Sequence, residues 1–129
     1  MRANKLVRLG IVGLAVGALF ASAPAAMAKD GVTTKGNCSG AAKWKLGLRP
    51  EDGGVLKVQL EVEEAKPGQQ WSVRIADNGS RIFSGSRTAN QFGEFTVRTS
   101  STNRAGSDHV TGRATNKVTG QVCNASATL

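Results

Sequence analysis

The sequence predicts an all-β protein, built as a single antiparallel sandwich of about seven short strands that follows a signal peptide. Apolar and polar residues alternate along most of the chain after residue 40, as they do in half-buried strands. Turn-forming Gly, Asn, Asp and Pro residues separate these segments at short intervals. No segment after the leader keeps a helical period of about 3.6 residues. Short strands with one apolar face each must bury those faces against one another, which predicts two packed sheets.

The first 28 residues have the three parts of a secretory leader, in the expected order. Arg2, Lys5 and Arg8 are basic, residues 9–21 are apolar, and residues 26–28 (Ala-Met-Ala) form a cleavage motif. An uncleaved membrane anchor is the alternative, but the apolar run is shorter than the ~20 residues that a membrane span needs. We therefore expect cleavage after Ala28, secretion to the extracellular space, and no membrane segment in the mature chain.

The mature chain has two cysteines, Cys38 and Cys123. An even number of cysteines in a secreted chain favours a disulfide, and two cysteines allow one pairing within the chain. A zinc site is disfavoured, because His109 is the only histidine and there is no C-x-x-C spacing. We expect a disulfide that joins the two ends of the domain, with no metal and no cofactor.

The first half of the mature chain predicts an arm and two strands. Residues 29–37 are polar and glycine-containing, which indicates a flexible arm and leaves 38–129 as the sandwich domain. Alternation from Ala42 to Leu48 predicts the first strand, and residues 49–54 form a turn signal. The clearest strand is 55–63, which Lys66-Pro67-Gly68 ends.

The second half predicts five more strands. Residues 71–76 form the third strand, and Asn78-Gly79 favours the type I′ turn of a hairpin. Residues 81–87 would return as the fourth strand, and further strands are predicted over 94–100, 108–116 and 121–128.

The hairpin on either side of Asn78-Gly79 holds the candidate ligand site. A two-residue turn places Arg74 opposite Phe83, so that Arg74, Arg81 and Phe83 share the outer face, where Arg113 or Lys117 can join them. Guanidinium groups bind carboxylate or phosphate, and an exposed ring offers a stacking face for sugars. The alternative is a solvated face on which Arg74 stacks on Phe83 as a cation–π pair. A register shift of one residue would exchange the two faces.

Catalytic groups are sparse, and we expect no enzyme activity. His109 follows Asp108, but neighbours on a strand point to opposite faces, so Asp108 does not orient His109. Glu61 and Glu63 share the solvent face of a strand, and pairing of the first two strands places Lys43 opposite Glu61 as an ion pair. A glycosidase pair would need a cleft and an apolar pocket, for which the sequence has no signal.

The strand count, the domain length and Trp71 resemble an immunoglobulin-like or fibronectin-type sandwich. The cysteines differ from those of true immunoglobulin domains, since they flank the domain instead of lying on the second and sixth strands. The chain also resembles small secreted bacterial proteins with Cys38, Trp44, a Trp71–Gly79 segment ending in Asp-Asn-Gly, and a late Thr-Gly-x-x-Cys over 119–123. That resemblance implies the fold and secretion and implies no activity.

Charge suggests two classes of function. Without the three basic residues of the leader, 14 Lys and Arg remain against 9 Asp and Glu, a net charge of +5. The first hypothesis is a monomeric secreted binding module for an anionic or glycan ligand at the cell envelope. The second is a structural or inhibitory extracellular protein that acts through protein–protein contacts, with the charges serving solubility. The basic residues are too dispersed for a specific nucleic-acid binder.

Overall fold

Strands make up the regular structure of residues 30–129, the part of the chain that the computed structural model describes. The predicted leader, residues 1–28, lies outside the described residues. No helix, and so none that could cross a membrane, occurs in the described range. The strands are β1 (Val32–Asn37), β2 (Lys43–Glu51), β3 (Val55–Glu63), β4 (Gln70–Asp77), β5 (Ser80–Thr88), β6 (Phe95–Thr102), β7 (His109–Asn116) and β8 (Val122–Thr128).

The strands form two four-stranded antiparallel sheets that pack as a β-sandwich. One sheet has the order β1-β2-β3-β6, and the other has the order β5-β4-β7-β8. The apolar residues of each alternating strand face the other sheet, as predicted. The core includes Trp44, Leu46, Leu48, Leu56, Val58, Leu60, Val62, Trp71, Val73, Ile75, Phe95, Val97, Val110 and Ala114. Trp71 is fully buried at 0% exposure and its ring packs against Phe95, with 5.6 Å between centroids.

The segment predicted as a flexible arm contains an additional strand. β1 pairs antiparallel with β2, with Thr34 opposite Leu46 and Asn37 opposite Lys43. The prediction of an arm over 29–37 was wrong for residues 32–37, because Thr, Lys and Gly next to Val32 give little apolar alternation. β1 is an edge strand with one neighbour in its sheet, and backbone pairing to β2 holds it in place.

Side chains join the two sheets along both open sides of the sandwich. On one side the hydroxyl of Thr34 donates to the Ser126 carbonyl at 2.7 Å, and the predicted disulfide links Cys38 to Cys123. On the other side the hydroxyl of Thr99 donates to the Ile82 carbonyl at 3.1 Å. The two hydroxyl hydrogen bonds satisfy backbone carbonyl groups of β8 and β5, the edge strands of their sheet.

Candidate anion-binding face

The turn of the β4–β5 hairpin has the predicted form. Asn78 and Gly79 both have positive φ, 49° and 87°, as a type I′ turn requires. Asp77 lies opposite Ser80, and Ala76 lies opposite Arg81. Arg81 therefore shares the outer face of the sheet with Ala76, as the sequence predicted.

A β-bulge then changes the register beyond that first pair. The shift falls between Ile75 and Ala76 and leaves Ile82 as the extra residue, so that Ile75 lies opposite Phe83 and Arg74 lies opposite Ser84. The predicted Arg74–Phe83 pairing was therefore wrong, because one extra residue moves every later side chain of a strand to the other face.

Phe83 consequently lies on the inner side of the sheet, partly buried against the core. Arg87 covers its ring, with the guanidinium carbon 5.0 Å from the centroid. A cation–π pair does form, but Arg87 takes the place predicted for Arg74. The Phe83 ring is not part of the arginine-bearing outer face and gives no stacking surface there.

Ser84 takes the position predicted for Phe83 on β5, and Arg113 neighbours Arg74 from the other side of β4. β7 pairs with β4 so that Arg113 lies directly opposite Arg74, with both side chains exposed on the outer face. Arg113 also donates to the Asn124 amide oxygen at 3.3 Å. Two like charges directly opposite each other destabilise a sheet, so this pair opposes stability.

The outer face of the β5-β4-β7-β8 sheet carries arginines and no carboxylates. A shallow depression lies between Arg74, Arg81 and Arg113, over the short side chain of Ala76. We call this surface the basic face. Its outward positions are Gln70, Ser72, Arg74, Ala76, Arg81, Ser84, Ser86, Thr88, His109, Thr111, Arg113, Thr115, Val122, Asn124, Ser126 and Thr128.

The outer face of the other sheet, which we call the mixed face, interleaves both signs of charge. The Lys45 ammonium lies 3.1 Å from Glu63, and Lys43 lies 3.6 Å from Glu64. Lys43 lies opposite Glu63 in the register, so the predicted Lys43–Glu61 pair was wrong by two residues. The cause is the turn, which is shorter than predicted and brings Val55 opposite Glu51.

None of the ion pairs formed within residues 30–129 includes Arg74, Arg81 or Arg113. Lys57 and Arg98 on the mixed face are likewise in none of these ion pairs, but that face also carries the carboxylates of Glu61 and Glu63. The two outer faces therefore differ in the organisation of charge: the mixed face sets glutamates among its cations, and the basic face carries cations without carboxylates.

His109 and Asp108 point to opposite sides, as predicted. The imidazole is exposed and its Nδ1 lies 2.8 Å from the Thr128 hydroxyl, whereas the Asp108 side chain is 0% exposed. No cluster of three or more His, Cys, Asp and Glu that could hold a metal ion occurs among the described residues.

A buried acidic pair is the feature that sequence reasoning missed. Asp77 and Asp108 are both 0% exposed at the end of the sandwich that carries the β4–β5 turn. Asp77 accepts a hydrogen bond from the Ser101 hydroxyl at 2.7 Å and lies 3.5 Å from the Arg104 guanidinium. Burial, and then the charge of Asp77, raise the pKa of Asp108. Both aspartates sit beside loop signals in the sequence, where an acidic residue is ordinarily solvated.

No known protein family, curated protein or solved structure matches the chain.

Proposed function

We propose that this protein is a secreted, non-catalytic binding module that holds an anionic ligand on the basic face. The observation that carries the proposal is the direct opposition of Arg74 and Arg113 on a face without carboxylates. Cations also lie opposite each other on the mixed face, at Arg49 and Lys57, but glutamates stand among them and form ion pairs, whereas the basic face has no carboxylate to offset its arginines. An anion between the two guanidinium groups would convert their repulsion into two charge-assisted hydrogen bonds.

The ligand is an anion and not a neutral sugar. Neutral sugars are held mainly by stacking on exposed aromatic rings, and the outward positions of the basic face include no Phe, Trp or Tyr. The partly buried Phe83 ring lies on the opposite side of its strand, under Arg87. The proposed ligands include an anionic glycan of the cell envelope, because its charged groups would bind the arginines.

We infer that the sandwich is of the immunoglobulin-like or fibronectin type and that residues 1–28 are a cleaved leader. The orders β2-β3-β6 and β4-β7-β8 correspond to the A-B-E and C-F-G arrangements of such domains, with β1 added before the first strand. The Cys38–Cys123 disulfide is compatible with an oxidising, extracellular location.

Retention of an isolated cell-envelope fraction on the immobilised domain, eluted by a salt gradient, tests the proposed site. We expect the double variant Arg74→Glu/Arg113→Glu to release the bound material at much lower salt than the wild type, because both guanidinium groups contact the ligand. The matched control is Lys57→Glu/Arg98→Glu, which makes the same charge change on the mixed face. It should elute close to the wild type.

Two results would contradict the site. Equal loss of retention in both double variants would show that net charge, and not the basic face, drives binding. Unchanged retention in Arg74→Glu/Arg113→Glu would show that the ligand binds elsewhere.

Action through protein–protein contacts is the second candidate function, and one observation favours it. Phe92 and Val118 are 72% and 68% exposed, in loops at the disulfide end of the sandwich. Each loop is held by an asparagine side chain: the Asn90 amide oxygen accepts from the Phe92 amide at 2.8 Å, and that of Asn116 accepts from the Val118 amide at 2.7 Å. A secreted protein partner bound at these apolar tips would stay bound through the salt gradient, whereas an anion would elute.

A further inference from the structure

We propose that the basic face binds a linear phosphodiester polymer that runs along strand β4, with successive phosphates at successive cationic rows. This inference rests on the proposed function and specifies the ligand of the same site. It follows from the spacing of the cationic groups, which the pairing registers of β4, β5 and β7 determine.

Three cationic rows follow one another across the basic face. Arg81 stands in the first row, beside Ala76. Arg74 and Arg113 form the second row. The third row contains Ser72 and Ser86, and the Lys117 ammonium donates to the Ser86 hydroxyl at 2.8 Å, which places its charge over that row.

Consecutive rows are two residues apart along the strands, because the residues between them point inward. Two residues of an extended strand span about 7 Å. A single anion could occupy the second row alone, but it would leave the charges of the other two rows unused. A polymer with one negative charge per monomer, extended over the sheet, would meet a cation at each step.

The chemistry of the second row favours a phosphodiester. Each phosphodiester has two non-bridging oxygens, so Arg74 and Arg113 can each donate to one of them from the two sides. Hydroxyl and amide groups on neighbouring positions supply further donors. These are Ser84 and Asn124 in the same row, and Thr111 and Ser126 in the first row.

The same face is poorly suited to nucleic acid. Proteins that bind single strands stack the bases on aromatic side chains, and the outward positions of this sheet hold no Phe, Trp or Tyr. A polymer whose units lack bases needs no aromatic side chains for stacking, so their absence from this surface does not weaken its binding. We therefore assign a polyol-phosphate chain as the ligand class, with charge and hydroxyl groups as its only recognition elements.

Isothermal titration of the disulfide-bonded secreted chain with poly(glycerol phosphate) of one, three and about ten repeats tests this inference at several salt concentrations. We expect at least a tenfold gain in affinity from one repeat to three, and little further gain per site beyond that length. Each phosphate contact should add about 0.7 to the slope of log affinity against log salt. Three rows that each hold one phosphate predict a total slope of about −2.

The third row has its own pair of variants. Lys117→Gln should reduce the magnitude of the salt slope by about 0.7 for the ten-repeat chain while leaving the affinity for the single repeat unchanged. Lys57→Gln, which removes the same charge from the mixed face, should leave both quantities unchanged.

The outcomes separate the two proposals. Equal affinity for one and ten repeats would contradict the proposal of a polymeric ligand, but it would be consistent with a site for a single anion on the basic face. Tighter binding of poly-L-glutamate, or of single-stranded oligodeoxythymidine, than of poly(glycerol phosphate) would overturn the phosphodiester or the polyol assignment and keep the anion site. The absence of binding to every one of these anions at low salt would overturn the proposed function as well.

Discussion

Asp77 and Asp108 place two carboxyl groups in the interior, with one half-exposed cation nearby. The Arg104 guanidinium lies 3.5 Å from Asp77, and its side chain is 47% exposed. Neither oxygen of Asp108 has a hydrogen-bond donor at good geometry. Burial disfavours the charged form of the Asp108 carboxyl, and the neighbouring charge of Asp77 adds to this, so the pKa of Asp108 is raised.

A raised pKa in the folded state makes stability depend on pH with a defined sign. Unfolding returns Asp108 to its ordinary, lower pKa. Its contribution to the free energy of unfolding is therefore fully present below the pKa of the unfolded state, and it is lost as the pH rises through the raised pKa of the folded state. We expect Asp108→Asn to remove this loss, so that the variant gains thermal stability relative to the wild type at neutral and higher pH. Melting temperatures measured across the pH range give the difference directly.

The exposed Asp52, in the turn between β2 and β3, provides the control. Asp52→Asn makes the same chemical change in solvent and should leave the pH profile of the wild type unaltered. Parallel profiles for the wild type and Asp108→Asn would show that the buried pair does not control the pH dependence.

At the scale of elements, the loops that end the strands depend on glycines with positive φ. Gly79 in the β4–β5 turn and Gly93 in the β5–β6 loop have φ of 87° and 77°. They differ in surroundings, because nothing lies within 4 Å of a Cβ at Gly79, whereas a Cβ at Gly93 would collide with the Ala65 carbonyl oxygen. Gly93 also holds the neighbouring loop, since its carbonyl accepts from the Ala65 amide at 2.9 Å.

These two glycines predict different costs for the same substitution. Gly79→Ala should lower the free energy of unfolding by about 1 kcal/mol, from backbone strain alone. Gly93→Ala adds overpacking against a backbone atom and should cost about 3 kcal/mol. Urea titrations of both variants measure the difference, and equal costs would mean that the β5–β6 loop moves freely away from Ala65.

At the scale of the whole molecule, the disulfide joins the residue that follows β1, in one sheet, to β8, the last strand of the other. Cys38 and Cys123 are 85 residues apart in sequence. Closing a loop of this length stabilises the fold by about 4–5 kcal/mol in the chain-entropy model, a large share of the stability of a domain this size.

Cys38→Ala/Cys123→Ala should therefore unfold at a much lower urea concentration than the oxidised wild type. Reductant should lower the midpoint of the wild type and have no effect on the double variant. If the oxidised wild type and the double variant unfold at the same urea concentration, the cross-link does not restrict the unfolded chain in the way that the model assumes.

The sequence alone determined the properties that depend on local alternation and turn chemistry. The strand over 55–63 begins and ends where predicted, and the Asn78-Gly79 turn has the backbone that its residues favour. Alternation also identified the inward side chains of β2, β3 and β4. These features follow from near neighbours in the chain, since strand periodicity and positive φ are local preferences. The single pairing of Cys38 with Cys123 likewise needed only a count of cysteines.

Only the tertiary structure decided the pairing of one strand with another. A single bulge at Ile82 moved Phe83 off the basic face, and a short turn moved Lys43 by two residues. The placement of Arg113 opposite Arg74, the burial of Asp77 and Asp108 and the pairing of β1 all depend on contacts between distant segments. One inserted residue exchanges the faces of a strand, and no local preference of the chain reveals where that residue falls.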